Sequence, residues 1–303
     1  MKRSLFFLII SLTLAAVAAA QVRYAVIPEN PRLGEPVTIG VNTDAKEALL
    51  FANGQQLAKA AFFSVPAEDG KQGFTAAILT VPSTASSGSA IIRLNNESGV
   101  VCEIPVTLTP RVFVSDVIEL NSANTGIRID PSPQRTAEAN RLWAILTTTG
   151  NQIYHSGPFV PPVTSTRRTG LFGDRRVYQY SNGGSDTSVH AGVDFGVPTG
   201  TRVIACGAGR VIIAAMRIVT GNSVIIEHAP GIYSLYYHLD SISVQEGAMV
   251  ETGALVGLSG STGLSTGPHL HWEVRVSTEN TDPDAFVARP ILDKDLIISK
   301  IYN

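Results

Sequence analysis

The sequence predicts a mainly β protein: an N-terminal β-sandwich of immunoglobulin type, a short helical connector, and a C-terminal antiparallel β domain. Three observations carry this. Val, Ile and Thr recur in short runs cut by turn residues, and 27 Gly and 17 Pro supply the punctuation, which suits short strands better than long helices. The chain is 44% hydrophobic and 16% charged, the balance of a globular rather than a disordered protein. Its 303 residues exceed one ordinary core, so two folded domains plus extensions are expected.

Residues 1–20 read as a secretory signal. Lys2 and Arg3 form a basic start, Leu5 to Val17 a mostly apolar stretch, and Ala18 to Ala20 the small residues of a cleavage site before Gln21. A membrane anchor would need about 17–25 apolar residues. No Cys follows the stretch, so lipoprotein processing is not indicated, and no transmembrane segment is expected after cleavage. The expected location is outside the cytoplasm: periplasm or cell envelope, or the extracellular space.

Residues 22–110 alternate short apolar runs with turns. Val37 to Val41, Leu49 to Ala52, Ala76 to Val81 and Ala90 to Leu94 are separated by Asn53-Gly54, Pro82 and similar breaks. Roughly seven strands in this space predict the sandwich, although the Cys…Trp…Cys signature is missing. Residues 111–165 are the connector. Ser132-Pro133 starts a helix in which Ala139, Leu142, Trp143 and Leu146 recur at helical spacing, and the stretch from Gly157 to Val163 reads as extended. From 166 to 288 the chain is again strand-rich, and 289–303 form a C-terminal extension.

Three of the six histidines fall in two short segments, His190-Ala-Gly-Val-Asp194 and His269-Leu-His271-Trp-Glu273. Residues two apart in a strand share a face, so His269 and His271 lie about 6–7 Å apart at Cα. Gly192 permits a backbone bend that lets His190 and Asp194 converge. A lone His-x-His is more often two half-exposed strand residues, but two such segments together suggest a metal site. Imidazole and carboxylate without thiolate are the ligands of a catalytic zinc with an open position. Spacing does not choose between His269 and His271.

Residues from about Thr166 to Ala288 resemble the M23 family of zinc metallopeptidases, of the lysostaphin and LytM type, which cleave peptidoglycan peptides. The resemblance rests on Gly170-Leu-Phe-Gly-Asp-Arg-Arg176, on His190 to Thr201, on Gly221-Asn222 and Tyr237-His238-Leu239, and on Gly260 to Glu273. It implies one Zn2+ held by His190, Asp194 and His271, with His238 and His269 as catalytic, non-ligand histidines. It also implies an exported endopeptidase acting on stems or cross-links of peptidoglycan. Degenerate family members have lost metal ligands and instead activate cell-wall amidases; this chain keeps all five positions. Cupins also use His-x-His with a carboxylate, but the His-x-His-x-Glu spacing and the separate His190/Asp194 segment fit them poorly.

The remaining features receive plainer readings. Without Lys2 and Arg3 the chain has 21 Lys+Arg against 25 Asp+Glu, a net charge of −4, which argues against nucleic-acid binding. The expected partners are peptidoglycan peptides and, through the N-terminal module, cell-wall or division proteins. Cys102 and Cys206 read as two buried free thiols. His155 and His228 read as structural or exposed, and the glycines from Gly257 to Gly267 as a tight loop presenting His269. Glu273 is a candidate to orient His271, while Tyr233, Tyr236 and Tyr237 read equally as groove lining or core. Because all five site positions lie between His190 and His271, a fragment from near Gly157 is expected to hold zinc by itself, with the extended stretch at its start either crossing the groove or bracing the scaffold.

Overall fold

The computed structural model describes residues 22–68, 70–148 and 150–303; the expected leader lies outside them. Eight strands come first: β1 (Tyr24–Ile27), β2 (Pro36–Val41), β3 (Glu47–Ala52), β4 (Gln55–Ala61), β5 (Phe63–Val65), β6 (Phe74–Thr80), β7 (Gly88–Asn96) and β8 (Gly99–Leu108). They form two four-stranded antiparallel sheets, ordered β1-β2-β6-β5 and β4-β3-β7-β8. Ile39, Leu50, Leu79, Ile92 and Leu108 fill the space between them. Asn53 and Gly54 join β3 to β4 with φ of 51° and 76°, the two positive values that a type I′ hairpin turn needs.

The connector contains more structure than the expected single helix: β9 (Ser115–Glu119), α1 (Ser122–Arg128) and α2 (Pro133–Thr147). Asn121 caps α1 by accepting from the Asn124 amide, and Ser132 caps α2 by accepting from the Arg135 amide, with Pro133 in the first turn. Two turns of helix give too few residues for a periodic signal, which is why α1 escapes a sequence reading. Leu146 is buried and Leu142 packs beside it, as the spacing predicts. Ala139 and Trp143 instead face solvent, Trp143 at 59% exposure.

Twelve strands and two helices follow: β10 (Arg168–Gly170), β11 (Arg175–Gln179), β12 (Ser185–Val189), β13 (Gly192–Phe195), β14 (Arg202–Ile204), β15 (Gly209–Arg217), β16 (Gly221–Ala229), β17 (Ile232–Ile242), β18 (Met249–Val250), β19 (Leu255–Ser259), β20 (Leu270–Val276), β21 (Glu279–Thr281), α3 (Pro283–Ala288) and α4 (Lys294–Tyr302). The main antiparallel sheet runs β10-β13-β20-β17-β16-β15-β18, with β14, β19 and β21 attached. A small sheet, β12-β11-β9, joins β9 in parallel to β11. β16 and β17 are buried on both faces. Val224, Ile226 and Tyr236 enter the large core, while Ile225, Tyr233, Leu235 and Tyr237 meet Leu142 and Leu146 of α2, the two-residue alternation of a strand.

The largest of three apolar clusters among the described residues joins the sandwich to the C-terminal sheet. Ala25, Val65, Phe74, Ala76 and Ile78 of the first sandwich sheet pack with Phe286, Ile291, Ile297 and Ile301. A Cβ on Gly40 of β2 would stand 2.3 Å from Ile297 Cγ2, so α4 lies directly on the backbone there. Phe159 and Val163 also enter this core, and the Val160 amide donates to Cys206 O. The Gly157–Val163 stretch thus braces the scaffold as irregular chain and does not line the groove. A fragment beginning at Gly157 would be stripped on two sides, by α2 and by the first sandwich sheet, so the packing argues against its independence. Both cysteines are free; Cys206 is buried and Cys102 is half-buried rather than buried. No helix among the described residues is long and apolar enough to cross a membrane.

Candidate metal site and groove

β13 and β20 pair in register with Asp194 opposite His271 and Gly192 opposite Glu273. The alternation of β20 sends Leu270, Trp272 and Val274 into the core and leaves His271, Glu273 and Arg275 on the other face, lining a groove of about 760 Å³. Gly192 serves this pairing differently from the bend expected of it. A Cβ there would stand 2.2 Å from the Trp272 carbonyl oxygen, so it is close approach of two strand backbones that requires glycine.

His190, Asp194 and His271 each bring one atom to a common point, all within 4.8 Å of one another. His190 Nε2 is 3.2 Å from Asp194 Oδ1 and 3.0 Å from His271 Nδ1, which is 2.9 Å from the same Oδ1. Each group is held from behind. His190 Nδ1 donates to Leu171 O at 2.7 Å, so its Nε2 turns a lone pair inward. Arg176 Nη2 donates to Asp194 Oδ2 at 2.7 Å, leaving Oδ1 for the centre. His271 Nε2 faces Glu273 Oε2 at 3.5 Å, and the Tyr237 ring stacks on it with centroids 5.5 Å apart. Three converging acceptors with protons directed outward repel one another unless a cation sits among them, and two imidazoles with one carboxylate form a donor set that zinc accepts.

The electrostatics agree. Burial works against charge on His271, but Asp194 and Glu273 outweigh it and raise its pKa to about 9. Without a metal, a proton there plays the cation's part. Burial also opposes the Asp194 carboxylate, yet the adjoining His190 and His271 rings hold its pKa well below the ordinary range. Glu273 is held at about 2 against its burial by Arg275 and His271, while burial lowers His190.

His269 and His238 stand beside this centre with ring centroids 4.8 Å apart. His269 Nε2 is 3.8 Å from Asp194 Oδ1, farther than any atom of the converging trio. Its Nδ1 donates to Gly267 O at 2.8 Å, and His238 Nδ1 donates to Thr262 O at 2.8 Å, so both keep a free Nε2. Burial lowers both pKa values, that of His238 to about 3 with help from the neighbouring histidines. His238 has φ of 60° at a register shift in β17, where its amide donates to Thr220 O. A bulge of this kind re-aims a side chain, and the left-handed backbone costs about 1–2 kcal/mol. The glycine loop contributes more than His269: a Cβ on Gly263 would stand 2.4 Å from the Gly221 amide, and this fit presents Thr262 O to His238.

Of the other candidates, Tyr237 lines the groove, whereas Tyr233 and Tyr236 are core. His228 is fully buried and His155 half-buried, and neither lines the groove. The sequence reading missed Arg176. Strand alternation sends Arg175 to Ser83 in the sandwich and Arg176 to Asp194, a signal available only once β11 is known to be a strand.

Residues 188–283 match the sequence model of Peptidase family M23; the chain carries an M23 peptidase domain, as its motifs predict. It is 36% identical over 135 residues to the DD-carboxypeptidase/endopeptidase Mpg of Neisseria meningitidis serogroup B, a match covering 44% of this chain and 30% of that protein. It is 42% identical over 93 residues to the peptidoglycan DD-endopeptidase ShyB of Vibrio cholerae, covering 31% of this chain and 22% of the relative. The chain thus spans less than a third of the length of these curated relatives. A solved Pseudomonas aeruginosa structure described as a peptidase M23 superposes on 85% of this chain and 94% of its own, with a TM-score of 0.57 and 22% identity, a likeness of fold.

Proposed function

We propose that this chain is an exported, zinc-dependent endopeptidase that hydrolyses peptide bonds in peptidoglycan stems or cross-links, working in the periplasm or cell envelope. The observation that carries the reading is the converging His190, Asp194 and His271 trio, each member braced from behind. The names of the relatives, a DD-carboxypeptidase/endopeptidase and a peptidoglycan DD-endopeptidase, support the substrate class. In this reading His190, Asp194 and His271 hold one zinc ion. Bound there, zinc supplies Lewis acidity that polarises a carbonyl and lowers the pKa of water.

The protein's own residues handle the protons. His238 and His269 are neutral in the resting site, and their Nδ1–H groups are tied to carbonyls. A free Nε2 takes a proton from the attacking water as oxygen bonds to the scissile carbon, and the carbonyl electrons move onto oxygen. The same nitrogen returns the proton to the leaving amine as the C–N bond breaks. Tyr237, stacked on His271, fixes the ring plane and excludes water from that side. The sandwich and connector form the frame for residues 166–288 and offer the surface for envelope partners.

The test is digestion of purified wall by zinc-loaded protein, with products identified by mass spectrometry. Ala at His190, Asp194 or His271 should abolish both bound zinc and cleavage. Ala at His238 or His269 should keep zinc and lose ~10²–10⁴ in turnover. Full zinc content in His271→Ala sinks the ligand assignment. A zinc-loaded wild type that cuts no wall but stimulates an amidase replaces the enzyme with a regulator.

A further inference from the structure

The groove is wider than the metal site needs, and its charged lining does not balance. Arg128 makes two hydrogen bonds to Asp186, at 3.0 and 3.1 Å; Arg176 is engaged by Asp194 and Arg275 by Glu273. Three groove guanidinium groups, Arg135, Arg167 and Arg217, have no carboxylate partner among the described residues, and of these Arg135 and Arg217 stand together at α2. Arg135 Nη1 donates to Asp130 O at 2.8 Å. Arg217 donates to Thr220 Oγ1 at 3.2 Å and to Glu138 O at 3.5 Å. The Glu138 carboxylate is turned to neutral donors, the Gln134 amide and the Ile218 N–H, and Asp116 stands on β9 opposite Arg176 in the register.

The two arginines belong to one wall. Arg217 sits on the carbonyl of Glu138, and Arg135 lies one turn earlier on the same helix, where residues three apart are neighbours. The distance to the metal trio is short: the Arg217 guanidinium is 6.0 Å from the Tyr237 ring centre, and that ring is 5.5 Å from His271. The Arg217 guanidinium therefore lies no farther than about 12 Å from the His271 ring, within about three residues of extended peptide. Arginine is suited to carboxylate because its fork of N–H donors can hold both oxygens.

We propose that Arg135 and Arg217 form a carboxylate subsite, which selects peptides bearing a free carboxylate within about three residues of the scissile bond. The inference rests on the peptidase reading above and adds a specificity element built partly outside the matched domain, on α2. The carboxylate has two possible sources, the chain terminus of the peptide or an internal acidic residue, and the arms of the test separate them.

The probe is a fluorescein-labelled soluble muropeptide in three forms: free acid, terminal amide, and internal-carboxylate amide. Binding is read by anisotropy on full-length protein treated with a chelator, so that turnover is off. KM and kcat are then measured with zinc restored. The free acid should bind about 10–100-fold more tightly than whichever amide removes the recognised carboxylate, the range of one charge-assisted contact. The difference should appear in KM rather than kcat. Arg135→Gln and Arg217→Gln should each bring the free acid towards the amide without weakening the amide further. Equal binding of all three forms overturns the subsite, as does a preference that survives both substitutions, or no measurable binding of the free acid. Binding preference without cleavage leaves the subsite standing and removes the peptidase reading.

Discussion

Replacing Glu273 by Gln separates two tasks of one buried carboxylate. Glu273 is 2% exposed, ion-paired with Arg275 and 3.5 Å from His271 Nε2. The substitution keeps size and one acceptor but removes the charge. Arg275, whose side chain is 20% exposed, is then left with the Thr278 carbonyl at 3.1 Å. Removing one partner of a buried pair costs about 3–5 kcal/mol; residual exposure and the surviving acceptor put this case near the lower end. Urea unfolding of metal-free protein should show it as a midpoint lower by about 1–2 M. Zinc affinity, measured by chelator competition, should fall about 10–100-fold, as for other carboxylates behind a ligating histidine. The gap depends on pH in a definite direction. With His271 raised to about 9, zinc must displace its proton at neutral pH in the wild type. The variant lowers that pKa and meets less proton competition, so its deficit should widen as pH rises from about 7 to about 8.5. An unchanged urea midpoint, with zinc affinity within about twofold at both pH values, would refute the bracing role.

Two other perturbations test the frame. His228 is fully buried and burial lowers its pKa to about 3; the unfolded chain takes up its proton below about 6.5, so this contribution is complete above 6.5 and is lost at about 1.4 kcal/mol per pH unit as pH falls towards 3. Metal-free wild type should therefore lose stability between about pH 7.5 and 5, and His228→Gln, weaker at the upper pH, should show a shallower slope in paired urea curves; an identical slope would remove His228 from the linkage. Truncation at Gly157 should expose Ile225, Tyr233 and Leu235 on one side and Phe286 and Ile297 on the other, giving a fragment that aggregates or binds a hydrophobic dye. A monomeric fragment with a cooperative melt and full zinc content would show that the two outer layers are dispensable.

How much of this was legible in the sequence follows from the range of each interaction. His190, Asp194, His271 and Glu273 could be found because their relationships are local: a five-residue segment and a strand alternation. The sandwich strands were legible for the same reason, since turns such as Asn53-Gly54 mark them where they occur. Preference for His271 over His269 was not, because the two share a face by spacing alone. What separates them is the loop, where Gly267 O takes the His269 Nδ1 proton and leaves that ring 3.8 Å from Asp194. β9 was illegible because its residues are mostly exposed and its partner β11 lies some sixty positions away in parallel. No local pattern encodes that pairing.

The orientation of His238 was also hidden, and it shows why recognising histidines is not the same as reading a site. Its side chain reaches the groove only through a left-handed residue at a register shift, and that backbone is held by Thr220 O and Thr262 O. The second carbonyl is in place because Gly221 and Gly263 pack where a Cβ on either would collide. The same logic extends beyond the matched residues 188–283. Leu171 O sets the His190 tautomer and Arg176 turns the Asp194 carboxylate, and both lie before residue 188. Arg176 is held in turn by a strand paired with the connector. The groups that converge come from the family motif, but their directions are set by chain that the motif does not include. A transplanted 188–283 segment would therefore carry the proposed ligands without two of the contacts that aim them.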